Sequence, residues 1–109
     1  MATNDTVIRA PVNTAGQTSQ FIVDDKPVTV YLYPAASLTA TEYADLQRDT
    51  AAGTFQDVYD HSFKGSGGQV RLDTTVTDIT IEAPGTYRLD FDNPTNAVGA
   101  AIMVPTHKR

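Results

Sequence analysis

The sequence predicts an all-β protein: an antiparallel β-sandwich or jelly roll of about eight short strands, with an extended N-terminal arm. Threonine is the commonest residue, while the strong helix formers Leu, Glu and Lys are scarce. β-Branched residues fit a pleated sheet better than a helix. Short segments in which apolar and polar residues alternate recur about every 8 to 12 residues, separated by Gly, Pro, Asn and Asp, as in all-β sandwiches.

The length of 109 residues suits one domain with one core. No linker divides the chain, so we expect an N-terminal arm or edge strand over residues 1–19 and a single β-sandwich domain over residues 20–109. The chain contains no cysteine, which excludes disulfides and zinc–thiolate sites. Signal-peptide features and apolar runs near the roughly 20 residues of a membrane-spanning helix are absent. We therefore expect synthesis in the cytosol without Sec-type export.

The net charge of −5 and the sequence pI near 4.6 argue against a nucleic-acid partner. Binding to phosphates requires clustered basic side chains. The one basic cluster is the terminal run His107, Lys108 and Arg109, and a run of this kind is usually solvated.

The first nineteen residues are rich in Thr, Asn and Gly, and their one apolar island is Val7-Ile8. This composition predicts an edge strand around Thr6 to Ala10, then a loop. A short apolar run at residues 21–23 and a longer one at 28–33 follow. The longer run alternates with period two, which is a strong strand signal.

Residues 38–48 leave two alternatives open. Thr39 followed by Glu42 resembles the capping box that begins a helix. The threonines and the weak apolar stripe speak against a helix over residues 39–48. We therefore favour a strand from about Tyr43, which leaves room for a helical turn before it. The turn at residues 49–53 would then return the chain into a strand at 54–60.

The second half of the chain shows clearer alternation. Residues 69–73 and 76–82 predict two short strands, and Pro84-Gly85 suits the centre of a type II turn. That turn predicts a tight hairpin with the amphipathic strand at residues 87–91. The uncharged run at residues 98–104 predicts a strand buried on both faces or packed at an interface.

The stretch "DVYDHSFKGSGGQV", residues 57–70, is the candidate active-site loop. His61 could act as a general base oriented by Asp57 or Asp60, with Ser62 or Ser66 as nucleophile. However, "GSGG" is not a nucleophile elbow and "KGSGG" lacks the spacing of a phosphate-binding loop. We interpret the stretch as a flexible, glycine-rich connection between two strands, and we expect no catalytic residues.

A calcium site at residues 90–96 is the second candidate. Asp90, Asp92, Asn93 and Asn96 offer oxygen ligands, but the glycine and the closing glutamate of a calcium-binding loop are absent. Asp and Asn beside Pro are ordinary turn formers. We expect neither a metal ion nor another cofactor.

The tyrosines offer a third candidate, since exposed aromatic rings on one sheet face can stack on sugars. Cross-strand packing is the commoner role of tyrosine in half-buried strands. The tyrosines concerned are Tyr31, Tyr33, Tyr43, Tyr59 and Tyr87.

The N-terminal arm and the C-terminal tail are candidates for contacts with other proteins. An unpaired arm can add to the sheet edge of a neighbouring chain through main-chain hydrogen bonds, although a disordered terminus is the alternative. The predicted partner-binding residues are Val7, Ile8 and Arg9 in the arm, Tyr31 and Tyr33 in the first clear strand, and His107, Lys108 and Arg109 in the tail.

Three short motifs resemble small β-domain virion proteins encoded by tailed phages. They are Gly53-Thr54-Phe55, the threonine-rich strand from Thr74 to Ile81, and the "PGTYR" element from Pro84 to Arg88. The resemblance covers about half of the chain.

The resemblance implies a capsid decoration (cement) protein on the outer surface of the phage head, assembled in the host cytoplasm. Its expected partners are the major capsid protein and neighbouring copies of itself, as a homo-oligomer, without nucleic acid or membrane. A carbohydrate- or host-binding module of a phage tail or fibre is the alternative. A hydrolytic enzyme is a distant third possibility, because the titratable groups lack convincing spacing.

Overall fold

Two antiparallel sheets and no α-helix make up the described part of the chain. The computed structural model describes residues 3–34, 37–39, 41–60 and 68–105. No helix in those ranges is long and apolar enough to cross a membrane. The strands are β1 (Thr3–Val12), β2 (Gly16–Gln17), β3 (Phe21–Val23), β4 (Val28–Tyr33), β5 (Ala44–Ala51), β6 (Thr54–Asp57), β7 (Arg71–Leu72), β8 (Asp78–Ile81), β9 (Gly85–Phe91) and β10 (Val98–Pro105).

The strand order is that of a jelly roll. The first sheet has the order β1-β10-β4-β8, and the second has β2-β9-β5-β6, with β3 also on β9 and β7 also on β5. In the second sheet, β2 and β3 follow one another along the same edge of β9, and β6 and β7 follow one another along the same edge of β5. The ten strands of the described residues therefore fill eight strand positions. Sequence-adjacent strands then repeatedly fall in opposite sheets, as a double Greek key requires. This confirms the predicted all-β fold.

The core lies between the sheets and receives every second side chain of the central strands. Residues 28–33 and 87–91 alternate between buried and more exposed positions, as their sequence pattern predicted. The largest fully buried side chains come from both sheets and are Phe91, Leu32, Leu46, Leu72, Leu89, Val23, Val30 and Val98.

The N-terminal residues form an edge strand of the first sheet and do not project as an arm. β1 pairs with β10 from Thr3, opposite Pro105, to Val12, opposite Val98. Ile8 is 7% exposed and belongs to the core. An edge strand with one face in solvent needs few apolar residues, so the polar composition that suggested an arm is also compatible with β1.

The segment before β5 is a turn and not a helix. The backbone N–H of Glu42 donates to the carbonyl of Thr39 at 2.9 Å, and Oε1 of Glu42 accepts from the N–H of Thr39 at 2.9 Å. The second contact is half of a capping box, which explains the helical signal. The strand β5 follows from Ala44, which confirms the favoured alternative.

A tight turn joins β5 to β6, as predicted. Ala52 and Gly53 both have positive φ angles, 45° and 98°, and positive φ at both central residues is characteristic of a type I′ hairpin. The carboxylate of Asp49 accepts the N–H groups of Ala51 at 3.1 Å and Gly53 at 3.0 Å. These bonds hold the turn although one central residue is not glycine.

The predicted hairpin at Pro84-Gly85 is wrong. β8 pairs with β4, opposite Val30 and its neighbours, whereas β9 pairs with β5 on one side and with β2 and β3 on the other. The turn therefore carries the chain from one sheet to the other. Gly85 lies opposite Val23, and the guanidinium of Arg48 donates to the carbonyl of Pro84 at 2.8 Å. A local turn signal cannot distinguish a hairpin from a crossover of similar length.

The glycine-rich stretch connects two strands. Tyr59 forms a bridge with Gln69, and the N–H of Asp60 donates to the carbonyl of Gly68 at 2.8 Å. The described residues on either side of the loop therefore pair as the base of a hairpin. His61, Ser62 and Ser66 lie outside the described residues, as do His107, Lys108 and Arg109.

Candidate functional site

The outer face of the first sheet brings together residues that are far apart in the sequence. Val7 on β1 and Tyr31 on β4 lie on either side of Ala101 on β10. Val7 is 50% exposed and Tyr33, two residues further along β4, is 44% exposed. Because β10 is the inner strand between β1 and β4, this partly apolar surface is continuous across three strands.

We call this surface the β1–β4 face, and it consists of Asp5, Val7, Tyr31, Tyr33 and Met103. The hydroxyl of Tyr31 donates to Oδ2 of Asp5 at 3.0 Å. The pKa of Tyr31 is raised, first because burial desolvates the phenolate and then because of this hydrogen bond. A shallow depression of about 360 Å³ lies beside the ring, lined also by Met103.

Gly99 is a determinant of this face that the sequence reading missed. The β1–β10 register shifts around Arg9, where the β1 backbone comes very close to β10. A Cβ atom on Gly99 would lie 1.9 Å from the carbonyl oxygen of Arg9 and 2.8 Å from the carbonyl carbon of Ala10. Residues 98–101 of β10 are buried, whereas residues 102–104 are half-buried, so burial on both faces holds only for the first half of the uncharged run.

Two of the predicted contact residues in β1 have intramolecular roles. Ile8 packs in the core. The guanidinium of Arg9 donates to the carbonyls of Thr14 at 2.7 Å and Gly16 at 3.3 Å, and it lies 4.9 Å from the ring centroid of Phe91. Burial lowers the pKa of Arg9, while Asp90 acts in the opposite direction. Arg9 therefore ties β1 to β2 and covers one end of the core.

The five tyrosines do not form a platform on one face. Tyr87 is buried in the core, and Tyr59 is exposed beside the glycine-rich stretch. The ring of Tyr43 lies 3.9 Å from the guanidinium carbon of Arg71. Only Tyr31 and Tyr33 lie together, on the β1–β4 face.

The outer face of the second sheet carries a polar network that the sequence reading did not identify. Arg71 Nε lies 2.8 Å from Asp45 Oδ1. The two carboxylate oxygens of Asp57 accept from the side-chain amides of Gln47 at 3.1 Å and Gln69 at 2.9 Å. On β9, Arg88 Nε donates to Oε1 of Gln47 at 2.8 Å. The alternation in β5 and β9 marks these positions as outward-facing, but the network joins β5, β6, β7 and β9, whose register only the fold defines.

Asp45 and Asp90 lie directly opposite each other on β5 and β9. The pKa of Asp45 is raised, mainly because burial desolvates its carboxylate; Arg71 opposes this, and Asp57 and Asp90 reinforce it. Because the folded state binds the Asp45 proton more tightly than the unfolded state, protonation of Asp45 adds to the free energy of unfolding. This contribution is fully present below the unfolded-state pKa and is lost as the pH rises through the folded-state pKa.

We predict that Asp90→Asn lowers the pKa of Asp45 by removing a directly opposed negative charge. The retained Oδ1 can still accept the amide of Gln17, which donates to Asp90 at 3.1 Å. The measurement is an NMR pH titration of the Asp45 carboxyl carbon. Asp92→Asn is the matched control and should leave that titration unchanged. An equal effect of both variants would contradict the cross-strand interaction.

The candidate calcium ligands do not converge. Oδ1 of Asp90 accepts from Gln17 on the outer face of the second sheet, whereas the amide of Asn96 donates to the carbonyl of Ser37 at 3.2 Å. Within the described ranges, no group of three or more His, Cys, Asp or Glu side chains could hold a metal ion.

The fold of this chain is similar to that of a known protein, whereas its sequence is not. No family model and no curated protein matches the sequence. The structure is similar to the crystal structure of the SPBc2 prophage-derived protein YomS, with a TM-score of 0.62 and 12% sequence identity. The match covers 94% of this chain and 92% of that chain. At this identity the similarity shows that the two chains share one β-sandwich fold over nearly their full lengths.

Proposed function

We propose that this protein is a non-enzymatic structural protein of a bacteriophage virion, a decoration or cement protein that binds the outer surface of the head and stabilises it. The β1–β4 face is the observation that carries the proposal. It combines half-exposed Val7 and Tyr33 with Tyr31 and Met103, and exposed apolar surface of this kind is typical of protein–protein contacts. The similarity to a prophage-derived protein and the short virion-protein motifs support a phage origin.

The partners in this proposal are the major capsid protein and neighbouring copies of the same chain. A shell presents many identical sites, so modest contacts by each copy add up when copies also touch one another. A rigid sheet face suits such repeated binding because its side chains are already ordered.

The test is sedimentation of purified protein with emptied capsids of a phage that encodes it. We expect saturable binding at a fixed ratio to the capsid protein. The double variant Val7→Asp, Tyr33→Asp should weaken binding at least about tenfold, equivalent to about 1.4 kcal/mol. Ile22→Asp is the matched control, because Ile22 is 68% exposed but lies on β3 in the second sheet.

Binding that is absent, or that Ile22→Asp reduces as strongly as the double variant, would contradict the proposal. Deleting residues 1–12 is a poor substitute for point variants. It would remove the whole edge strand and take Ile8 out of the core, so lost binding would not distinguish an interface from a folding defect.

A carbohydrate- or host-binding module is the second candidate. It is favoured by the ring of Tyr31 beside a shallow depression that also presents Asp5 and Thr29, since sugars combine ring stacking with hydrogen bonds to such groups. The double variant Tyr31→Ala, Tyr33→Ala should then abolish binding to immobilised host glycans. Tyr31→Phe keeps the ring but loses the hydrogen bond to Asp5, so this variant should retain part of the glycan binding.

A further inference from the structure

A groove opens between the two sheets beside β8, and we call it the β8 groove. Its volume is about 570 Å³. One wall is β8 with the residues that follow it, and the other is the base of the hairpin around Val58 and Val70. The apolar lining consists of Leu46, Val58, Val70, Ile79, Ile81, Ala83 and Tyr87.

The hairpin base is held rigidly against β5. Val58 donates its N–H to the carbonyl of Leu46 at 2.9 Å, and Val70 donates to Val58 at 2.9 Å. In turn, Leu46 donates to Val70 at 3.0 Å. This cyclic set of backbone bonds fixes the apolar wall of the groove.

The other wall is the free edge of the first sheet. Among the described residues, β8 pairs only with β4. Leu32 donates its N–H to the carbonyl of Thr77 at 3.0 Å, which marks a hydrogen-bonded pair. Such pairs recur at every second residue of an antiparallel ladder. Ile79 therefore bonds towards β4, while the N–H and C=O groups of Asp78 and Thr80 point away from the sheet.

The β8 groove runs along these outward-pointing groups. Its lining includes every residue from 78 to 83, although successive residues of β8 face opposite sides of the sheet. A groove can touch both sets of side chains only where it follows the strand edge. Its lining also contains the exposed carboxylates Asp78 and Glu82 and, among the described residues, no basic side chain.

We propose that the β8 groove binds an extended segment of a partner protein in which apolar side chains alternate with lysine or arginine. The segment adds to β8 as a further antiparallel strand, with main-chain hydrogen bonds to Asp78 and Thr80. Its apolar side chains enter the groove, and its basic side chains lie by the carboxylates at the rim. This proposal does not rest on the proposed function of the β1–β4 face, although Asp78 also borders the depression beside Tyr31.

The probe is a seven-residue peptide, Lys-Val-Lys-Ile-Lys-Val-Lys, with blocked termini, added to the isotope-labelled full chain. We expect NMR shift changes concentrated at residues 78–83, Val58 and Val70, saturating at micromolar to millimolar peptide. The same peptide with Glu in place of each Lys should bind at least about tenfold more weakly, because like charges meet at the rim. A lysine peptide whose backbone is N-methylated at alternate residues should also bind at least about tenfold more weakly, because it lacks the N–H groups that strand addition requires.

Thr80→Pro and Thr80→Val form a matched pair of variants. Both lose the side-chain hydrogen bond between Thr80 and Thr29, 2.8 Å in the native chain, but only proline removes the outward N–H, in a position that an edge strand tolerates. We expect Thr80→Val to bind the lysine peptide and Thr80→Pro to bind at least about tenfold more weakly. The NMR spectrum of each variant checks its fold.

Three results would overturn the proposal. The first is no binding of the lysine peptide at millimolar concentration. The second is binding that neither N-methylation nor Thr80→Pro weakens, since that would be charge attraction without strand addition. The third is a native dimer that Thr80→Pro dissociates, because the occupant of the groove would then be a second copy of this chain.

Discussion

Gly99→Ala is expected to destabilise the protein by about 3 kcal/mol, near the upper end of overpacking effects. The added Cβ would lie 1.9 Å from the carbonyl oxygen of Arg9 and 2.9 Å from its carbonyl carbon. Those atoms are backbone, so the clash can be relieved only by moving β1 away from β10. The measurement is the free energy of unfolding in urea.

Hydrogen exchange locates the damage. The amides of β1 should lose protection in Gly99→Ala, while those of β5 and β9 in the other sheet keep it. Ala101→Gly is the control on the same strand, and it should cost at most about 1 kcal/mol because it adds no atom. Native stability of Gly99→Ala, or loss of protection spread evenly over both sheets, would contradict the close approach of β1.

Phe91→Ala is expected to cost about 3 to 5 kcal/mol, the usual range for removing a buried phenylalanine. Phe91 is 2% exposed, and its ring also supports the guanidinium of Arg9 at 4.9 Å. The cavity and the lost contact with Arg9 both lower the free energy of unfolding. A domain of this size is stable by only about 5 to 15 kcal/mol, so the urea midpoint should fall steeply.

Ile22→Ala is the control for this second variant. Ile22 belongs to the same sheet but is 68% exposed, so its truncation should change the free energy of unfolding by less than about 0.5 kcal/mol. Similar losses for both variants would mean that the core does not lie between the sheets as described.

Much of the fold could be predicted because alternation is a local property. The alternation in residues 28–33 and 87–91 predicts β4 and β9, and the polar residues after β5 predict the turn that the structure shows. The segment before β5 was harder to assign, since the Thr39–Glu42 contact does form but closes only one turn. Nothing in the neighbouring residues alone distinguishes that turn from the start of a helix.

The candidate surfaces were less predictable. The sequence predicts both Val7 and Tyr31 as contact residues, but their position on either side of Ala101 depends on two strand registers. Val7 and Ile8 form one apolar island in the sequence, which predicts the same role for both, yet adjacent residues of a strand face opposite sides. Gly99 gave no signal, because only the position of the Arg9 backbone makes its missing side chain important.

The amino-acid sequence by itself determined that this protein is built from short strands with turns between them, because propensity and period-two patterning act over a few residues. It also determined the acidic character of the surface. The tertiary structure alone decided which strands pair, which placed β8 and β9 in different sheets and, within the described part of the chain, left β8 paired only with β4 beside an apolar groove. Pairing depends on contacts between residues far apart in the chain, and these are selected by how the two sheets together bury one core.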